Sequence, residues 1–204
     1  MGIQPIVEGY GEVAAVPILL RRLAEAFEIY NISIKHPIRW PRTKLLKEEE
    51  IRRVVQLARR HEDCEGIVYI IDAHDDCPAK VIQNITTWVK DEATPLPCGL
   101  VLATKEYEAW FLASLESLRG ERGIPSDAMP PDNPESISNA KGYLKNLMAI
   151  ETSYSETVDQ AQLSAKFDLK RAFERSRSFR KLTNDFRYVL SMMKFPLTNP
   201  CWFR

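Results

Sequence analysis

The 204-residue chain lacks any apolar run close to the roughly 20 residues a membrane-spanning helix requires, and stretches such as GIVYII (66–71) and CGLVLA (98–103) stop far short. It does not open with a basic segment followed by a long apolar one, so no secretory leader is expected. Its four cysteines, Cys64, Cys77, Cys98 and Cys201, form no C-x-x-C pair. His61 and Cys64 have the spacing of half a zinc site, but no second half follows. Scattered buried thiols without a disulfide framework suit a reducing compartment. The absence of a G-x-S-x-G elbow and of a P-loop removes serine hydrolases and P-loop NTPases. No internal repeat or low-complexity tract is visible. The expectation is a soluble cytoplasmic protein without a membrane partner.

What is present suffices for one sizeable core, or a core with an appended subdomain, since 45% of the residues are hydrophobic and 27% charged. Net charge is zero overall but unevenly spread: from Lys166 onward ten Lys and Arg face only Asp168, Glu174 and Asp185. An acidic first part and a basic end would suit a metal site beside a polyanion-binding surface; solvated basic helix faces are the plainer account.

Hydrophobic periodicity predicts a strand over 3–8, a helix over 12–28 and a short strand over 31–36. HPIRWPRTK reads as a loop broken by Pro37 and Pro41. A polar helix at 45–61 precedes GIVYIID (66–72), a continuous β-branched run suited to the interior of a parallel sheet. A helix at 78–92, a buried strand at 98–104 and a helix through KEYEAWFLASLESL complete an alternation that argues for a parallel α/β sheet. After residue 117 the Gly-, Pro- and Asp-rich GERGIPSDAMPPDNPES reads as a long loop, followed by helices at 136–149, 155–161, 163–175 and 178–193. The expected architecture is an α/β core over 1–117 and a loop with a helical cap over 118–204, packed as one structural unit.

In such a sheet, residues just past the C-terminal ends of the strands share one edge, where ligands bind. Here that edge collects Glu8 and Glu12, then Asp72, His74, Asp75 and Asp76, then Glu106 and Glu108. Carboxylates crowded together either stay protonated or recruit a cation, and Mg²⁺ or Mn²⁺ prefer oxygen ligands. Two such ions roughly 3.5–4 Å apart can hold a phosphodiester and activate water. Gly9, Gly11 and Ala14 also match the G-x-G-x-x-A spacing of a dinucleotide turn. Glu12 would then stand beside the pyrophosphate, and Lys35 and His36 lie where a ribose-binding acid belongs. The metal reading is preferred. Glu106 and Glu108 diverge by about 200° on a helix, so both serve one site only if Glu106 still lies on the strand end; a helix N-terminus alone could also explain either.

VEGYGE after the first strand, IDAHDDCP after the central one and KEYEAWFLAS after the next resemble the Toprim domain. The resemblance is to the variant in OLD-family nucleases and, more closely and over most of the chain, to a related prokaryotic family of unknown function often encoded beside ATPases. NAKGYL, YSETVDQAQLSAKFDL and RSRSF echo that family's helical part. The resemblance implies a Toprim-like fold, with Glu8 a metal ligand or general acid/base, Glu12 the second acid of V-E-G-x-x-E, and Asp72 the first acid of D-x-D. It implies Mg²⁺ or Mn²⁺ held by Glu8, Glu12, Asp72, His74, Asp75, Asp76 and Glu106, and a catalytic set of Glu8, Asp72, Glu106 and Lys166. D-x-D reads Asp72-Ala73-His74 here; imidazole suits Mn²⁺ or Zn²⁺ better than Mg²⁺, and Asp75 or Asp76 could supply the missing oxygen.

The function so implied is metal-dependent hydrolysis of DNA or RNA phosphodiesters in a prokaryotic defence or mobile-element system, with an ATPase partner and a homo-oligomer both open. The alternatives are a degenerate module that binds nucleic acid or an ATPase without cutting, and phosphoryl transfer on a small nucleotide. Lys141 and Lys166 resemble recurring lysines of the helical part, and a lysine at the scissile phosphate would offset transition-state charge. Arg175, Arg177 and Arg180 with Phe179 could line a nucleic-acid path, or Phe179 is core. Trp40, between two prolines, could stack a base, whereas packing accounts for Trp88, Trp110, Phe111 and Trp202.

Overall fold

The computed structural model describes residues 1–74, 78–148 and 154–203. Strand β1 (Gly2–Val7) is buried along its whole length and runs into helix α1 (Tyr10–Ala26). Strands β2 (Ser33–Ile34) and β3 (Ile38–Arg39), helices α2 (Arg42–Leu45) and α3 (Glu48–Arg59) and strand β4 (Cys64–Asp72) follow. Helix α4 (Pro78–Ala93) leads to strand β5 (Cys98–Ala103) and the short helix α5 (Ala109–Ala113). Helices α6 (Ala140–Leu147), α7 (Glu156–Ser164), α8 (Leu169–Arg175) and α9 (Arg177–Met192) complete the chain.

The five strands among the described residues are parallel, in the order β2-β1-β4-β5, with β3 continuing the β2 side of β1. The architecture is the expected α/β one, a parallel sheet with helices on both faces. Strand side chains alternate between two cores. Ile3, Val7, Val68, Ile70 and Val101 join α1, α5, α7 and α9 on one face. Ile6, Ile67, Tyr69, Ile71 and Leu100 join α3 and α4 on the other. Burial on both faces is why β4 and β5 read as unbroken apolar runs rather than alternating ones. Among the described residues no helix is long and apolar enough to cross a membrane.

The departures from expectation have local causes. HPIRWPRTK is not wholly a loop, because Ile38 and Arg39, two of the three residues between its prolines, pair with Ile6 and Val7, and Trp40 N–H donates to the Val7 carbonyl at 2.9 Å. Helix over 105–118 shrinks to α5 and a 3₁₀ turn at Leu115–Leu118. Lys105 adopts a left-handed φ of 65°, and Tyr107 N–H donates to Asp72 Oδ1 at 2.9 Å, which holds this stretch out of helical geometry. The helix expected at 163–175 divides because Asp168 starts a new one, its carboxylate accepting Arg171 N–H at 3.0 Å.

The free edge of β5 lies under α9. Asp185 Oδ2 accepts Leu100 N–H at 3.0 Å, and Lys181 Nζ donates to the Leu100 carbonyl at 3.2 Å. The long loop is fastened to the start of α9 by Glu135, which accepts Ser178 N–H at 2.8 Å and the Ser176 hydroxyl at 2.7 Å. Phe179 is fully buried in the first core. Arg175 and Arg180 hold helices together rather than stand clear. Arg175 reaches Glu116 and the Ala113 carbonyl, and Arg180 the carbonyls of Phe173 and Glu174.

The first core depends on a close approach at Gly11, where a Cβ would stand 2.7 Å from the Glu156 carbonyl oxygen of α7. Gly9 needs no special backbone, with φ −93° and ψ 164°. Gly11→Ala should therefore push α7 off α1 and destabilise the fold by about 1–3 kcal/mol. The measurement is the urea midpoint at unchanged slope; an unshifted midpoint would mean that the two helices do not touch there.

Candidate acid cluster at the sheet edge

The loop after β1 folds back on itself. The Glu12 carboxylate, in the first turn of α1, accepts the N–H groups of Glu8 at 2.9 Å and Gly9 at 2.8 Å through Oε2. Those amides immediately precede α1, and the chain's own carboxylate is their acceptor. Burial is the main reason its proton affinity rises, with Glu8 and Glu108 adding repulsion; the two N–H bonds oppose this, and its pKa is raised to about 7.

Asp72, at the end of β4, is also buried, with Oδ1 held by Tyr107 N–H. Burial, then the negative charges of Glu12, Glu108 and Glu8, hold its pKa well above the usual carboxylate range, and Lys141 opposes them. The turn after β1 and the end of β4 thus bring Glu8 and Glu12 near enough for their charges to bear on Asp72. Two of the three are buried acids whose surroundings favour the proton.

Beyond its N–H bond to Glu12, Glu8 meets further side chains. Its Oε1 lies 3.4 Å from His74 Nε2, its Oε2 lies 3.6 Å from Arg42 Nη1, and its backbone carbonyl is 3.5 Å from Arg39 Nη1. Its Oε2 is buried without a hydrogen bond. His74 is placed by its own backbone, with a left-handed φ of 50° and its N–H on the Lys105 carbonyl at 2.8 Å. Arg42, in α2, donates to the carbonyls of Asp72 and Ala73. Asp75 and Asp76, the other predicted ligands, and Cys77 lie outside the described residues.

Glu106 and Glu108 part company. Glu106 Oε2 accepts Lys141 N–H at 2.9 Å, at the start of α6. Glu108 is fully buried, accepting Tyr154 Oη at 2.8 Å and Gln160 Nε2 at 3.3 Å through Oε1, while Oε2 has no hydrogen-bond partner. Burial raises its proton affinity, with Lys141 opposing. Lys141 itself is partly buried, which would weaken its proton affinity, but Glu108 and then Glu156, at 2.8 Å, outweigh that and keep it cationic. Lys166, expected at the phosphate, follows α7 and pairs with Glu121.

Sequence reasoning left out Arg42 and placed Glu108 outside the ligand set. A helix-phase argument separates Glu106 from Glu108 but cannot choose between them, because the choice is made by Tyr154 and Gln160 returning from the cap. Arg42 carries one usable signal, its position directly after Pro41, the break that follows a strand beside β1.

The donor chemistry fits a divalent cation: the acids supply oxygen only, and the Oε2 atoms of Glu8 and Glu108 are both buried without hydrogen bonds. As the side chains lie, no group of three or more His, Cys, Asp or Glu among the described residues surrounds a common point. Glu8 would have to turn from Arg42 and His74 to share an ion with Asp72.

The charge pattern has a direct consequence for stability in EDTA. Glu12 has a folded pKa of about 7 against an ordinary value of 4.5. The fold therefore favours the protonated acid, so this contribution is complete below about pH 4.5 and is lost as pH rises through about 7. Glu12→Gln keeps an acceptor for the two N–H groups without the charge. It should be more stable than the parent at pH 8, by about 2–3 kcal/mol, and converge with it near pH 4.5. Thermal melts across that range are the check, and identical pH profiles would remove Glu12 as the source.

Residues 7–187 match a family described as Domain of unknown function (DUF4276), and the chain belongs to that family. No curated protein and no solved structure matches it.

Proposed function

We propose that this member of the DUF4276 family is a metal-dependent hydrolase of nucleic-acid phosphodiesters with a Toprim-like site. The reading is carried by one observation, the burial on one rim of Glu12, in the first turn of α1, and Asp72, at the end of β4, with the Glu12 charge raising the proton affinity of Asp72. Glu8, Glu12 and Asp72 would hold Mg²⁺ or Mn²⁺. Bound there, the ion would neutralise the acids, polarise a phosphoryl oxygen and lower the pKa of a bound water. Relation to Toprim and OLD-type nucleases rests on the order of VEGYGE, IDAHDD and KEYEAW at successive strand ends. The defence or mobile-element setting and an ATPase partner rest on that resemblance alone.

The chain's own groups have distinct work in this reading. Glu12 fixes the turn that carries Glu8, so the first acid projects from a closed loop rather than a loose one. Lys141 keeps its proton beside Glu108 and is a charge for a phosphate at the rim. Arg42, anchored on two carbonyls of the β4 end, fixes a positive charge beside Glu8 at the rim. His74, about 43% exposed, lies against Glu8 and puts a ring nitrogen at the rim.

A degenerate module is the second reading, and it is favoured by Arg42 and His74 standing on Glu8, which a cation would need. His74→Asp separates the two: gain of metal-dependent cleavage supports degeneracy, and loss makes the imidazole a working group.

The decisive measurement is plasmid and single-strand cleavage in Mn²⁺, beside metal titration calorimetry, for the parent and the Glu8→Ala/Asp72→Ala protein. The parent should bind Mn²⁺ and cut, and the double variant should lose cutting by at least about a hundredfold. Absence of both binding and cutting in the parent would dispose of the enzyme.

A further inference from the structure

We infer that Tyr10 and Arg39 form a stacking step for an unpaired nucleobase, which leads a single-stranded nucleic acid onto the acid cluster. The inference rests on the hydrolase reading for where the strand leads, and it names the substrate class of that site.

Tyr10 is the first residue of α1, two residues beyond Glu8, and 67% of it is exposed. Packing does not call for an aromatic there. The ring is nevertheless held in place. The Arg39 guanidinium carbon lies 3.8 Å from the ring centroid, and Nη2 is 3.1 Å from Tyr10 Oη. Arg39 is itself fixed by the parallel pairing of β3 with β1, where it is opposite Val7, and by its reach to the Glu8 carbonyl. One face of the ring therefore lies against a cation, while the side chain as a whole remains open to solvent.

A pre-positioned aromatic stacked on a guanidinium is the platform on which single-strand binders lay bases, because every base has a π-face and the cation meets the neighbouring phosphate. A duplex keeps its bases stacked inward and cannot use it. More cations follow in the same segment. Arg42 stands at Glu8, and Lys44, 50% exposed and 3.6 Å from Glu50, has its Nζ 5.3 Å from the Trp40 ring centroid. Phosphates could run along this β3–α2 border toward Glu8. Trp40, the residue its loop position suggests for stacking, is only partly exposed and its Nε1 is buried. The open ring is Tyr10.

The test is fluorescence anisotropy with a short labelled thymidine oligonucleotide in EDTA, where metal-dependent cleavage cannot occur. Tyr10→Ala should weaken binding about tenfold, Tyr10→Phe should bind like the parent, and Arg39→Ala should weaken binding and flatten its dependence on salt. Tyr30→Ala is the control, a tyrosine 77% exposed and well beyond the other end of α1, and it should change nothing. A uridine oligonucleotide bound as well as or better than thymidine supports the same step for RNA, and weaker binding of uridine supports it for DNA. The inference is overturned if the parent does not bind, if Tyr10→Ala binds like the parent, if Tyr30→Ala loses as much, or if a duplex of equal length binds as tightly. Tyr10-dependent binding without any Mn²⁺-dependent cutting would sink the hydrolase and leave the stacking step. Cutting with Tyr10-independent binding would do the reverse.

Discussion

The Glu12 carboxylate folded onto the amides of Glu8 and Gly9 is the constraint from which the site follows. It closes the turn between the first strand and the first helix, so the position of Glu8 is set by a ring of three residues rather than by a mobile loop. It also puts a charge where water cannot solvate it, at a cost that lowering the pH or adding a cation would relieve. A neutral capping residue would close the same turn without creating that demand. The choice of glutamate is thus what makes the loop a charge site and not simply a helix start.

The helical part takes part in this arrangement through side chains, not only through packing. Glu108 is reached by Tyr154 and Gln160, and Lys141 stands between Glu108 and Glu156. Gln160 also lies over Gly11. The turn that bears Glu8 and the helices after residue 139 therefore share an interface, and a change at either is felt by the other.

The parts of the fold that can be read from sequence are those governed by burial along one element. GIVYIID and CGLVLAT declare themselves as strands because both faces are covered, and the acids that stop GIVYIID mark the rim. The parts that cannot are governed by a partner distant in sequence. Ile38–Arg39 is a strand only because β1 lies alongside, and two residues are too few to show a period. The segment 105–107 reads as helical by composition, yet Asp72 takes the Tyr107 N–H. The same limit applies to the site. Glu8, Glu12 and Asp72 are visible as strand-end acids, whereas the different fates of Glu106 and Glu108 depend on which helix returns to each. Asp168 caps α8 inside a segment whose hydrophobic pattern reads as one continuous helix.

The last strand of the sheet meets Lys181 and Asp185 where a sixth strand would otherwise offer its amides and carbonyls. Both backbone groups of Leu100 are already answered, one by an ammonium and the other by a carboxylate. A guest peptide laid along that border would have to displace an ion pair before making its first ladder bond. The border is shielded by side chains, and growth of the sheet in that direction is opposed by electrostatics as well as by the bulk of the covering helix.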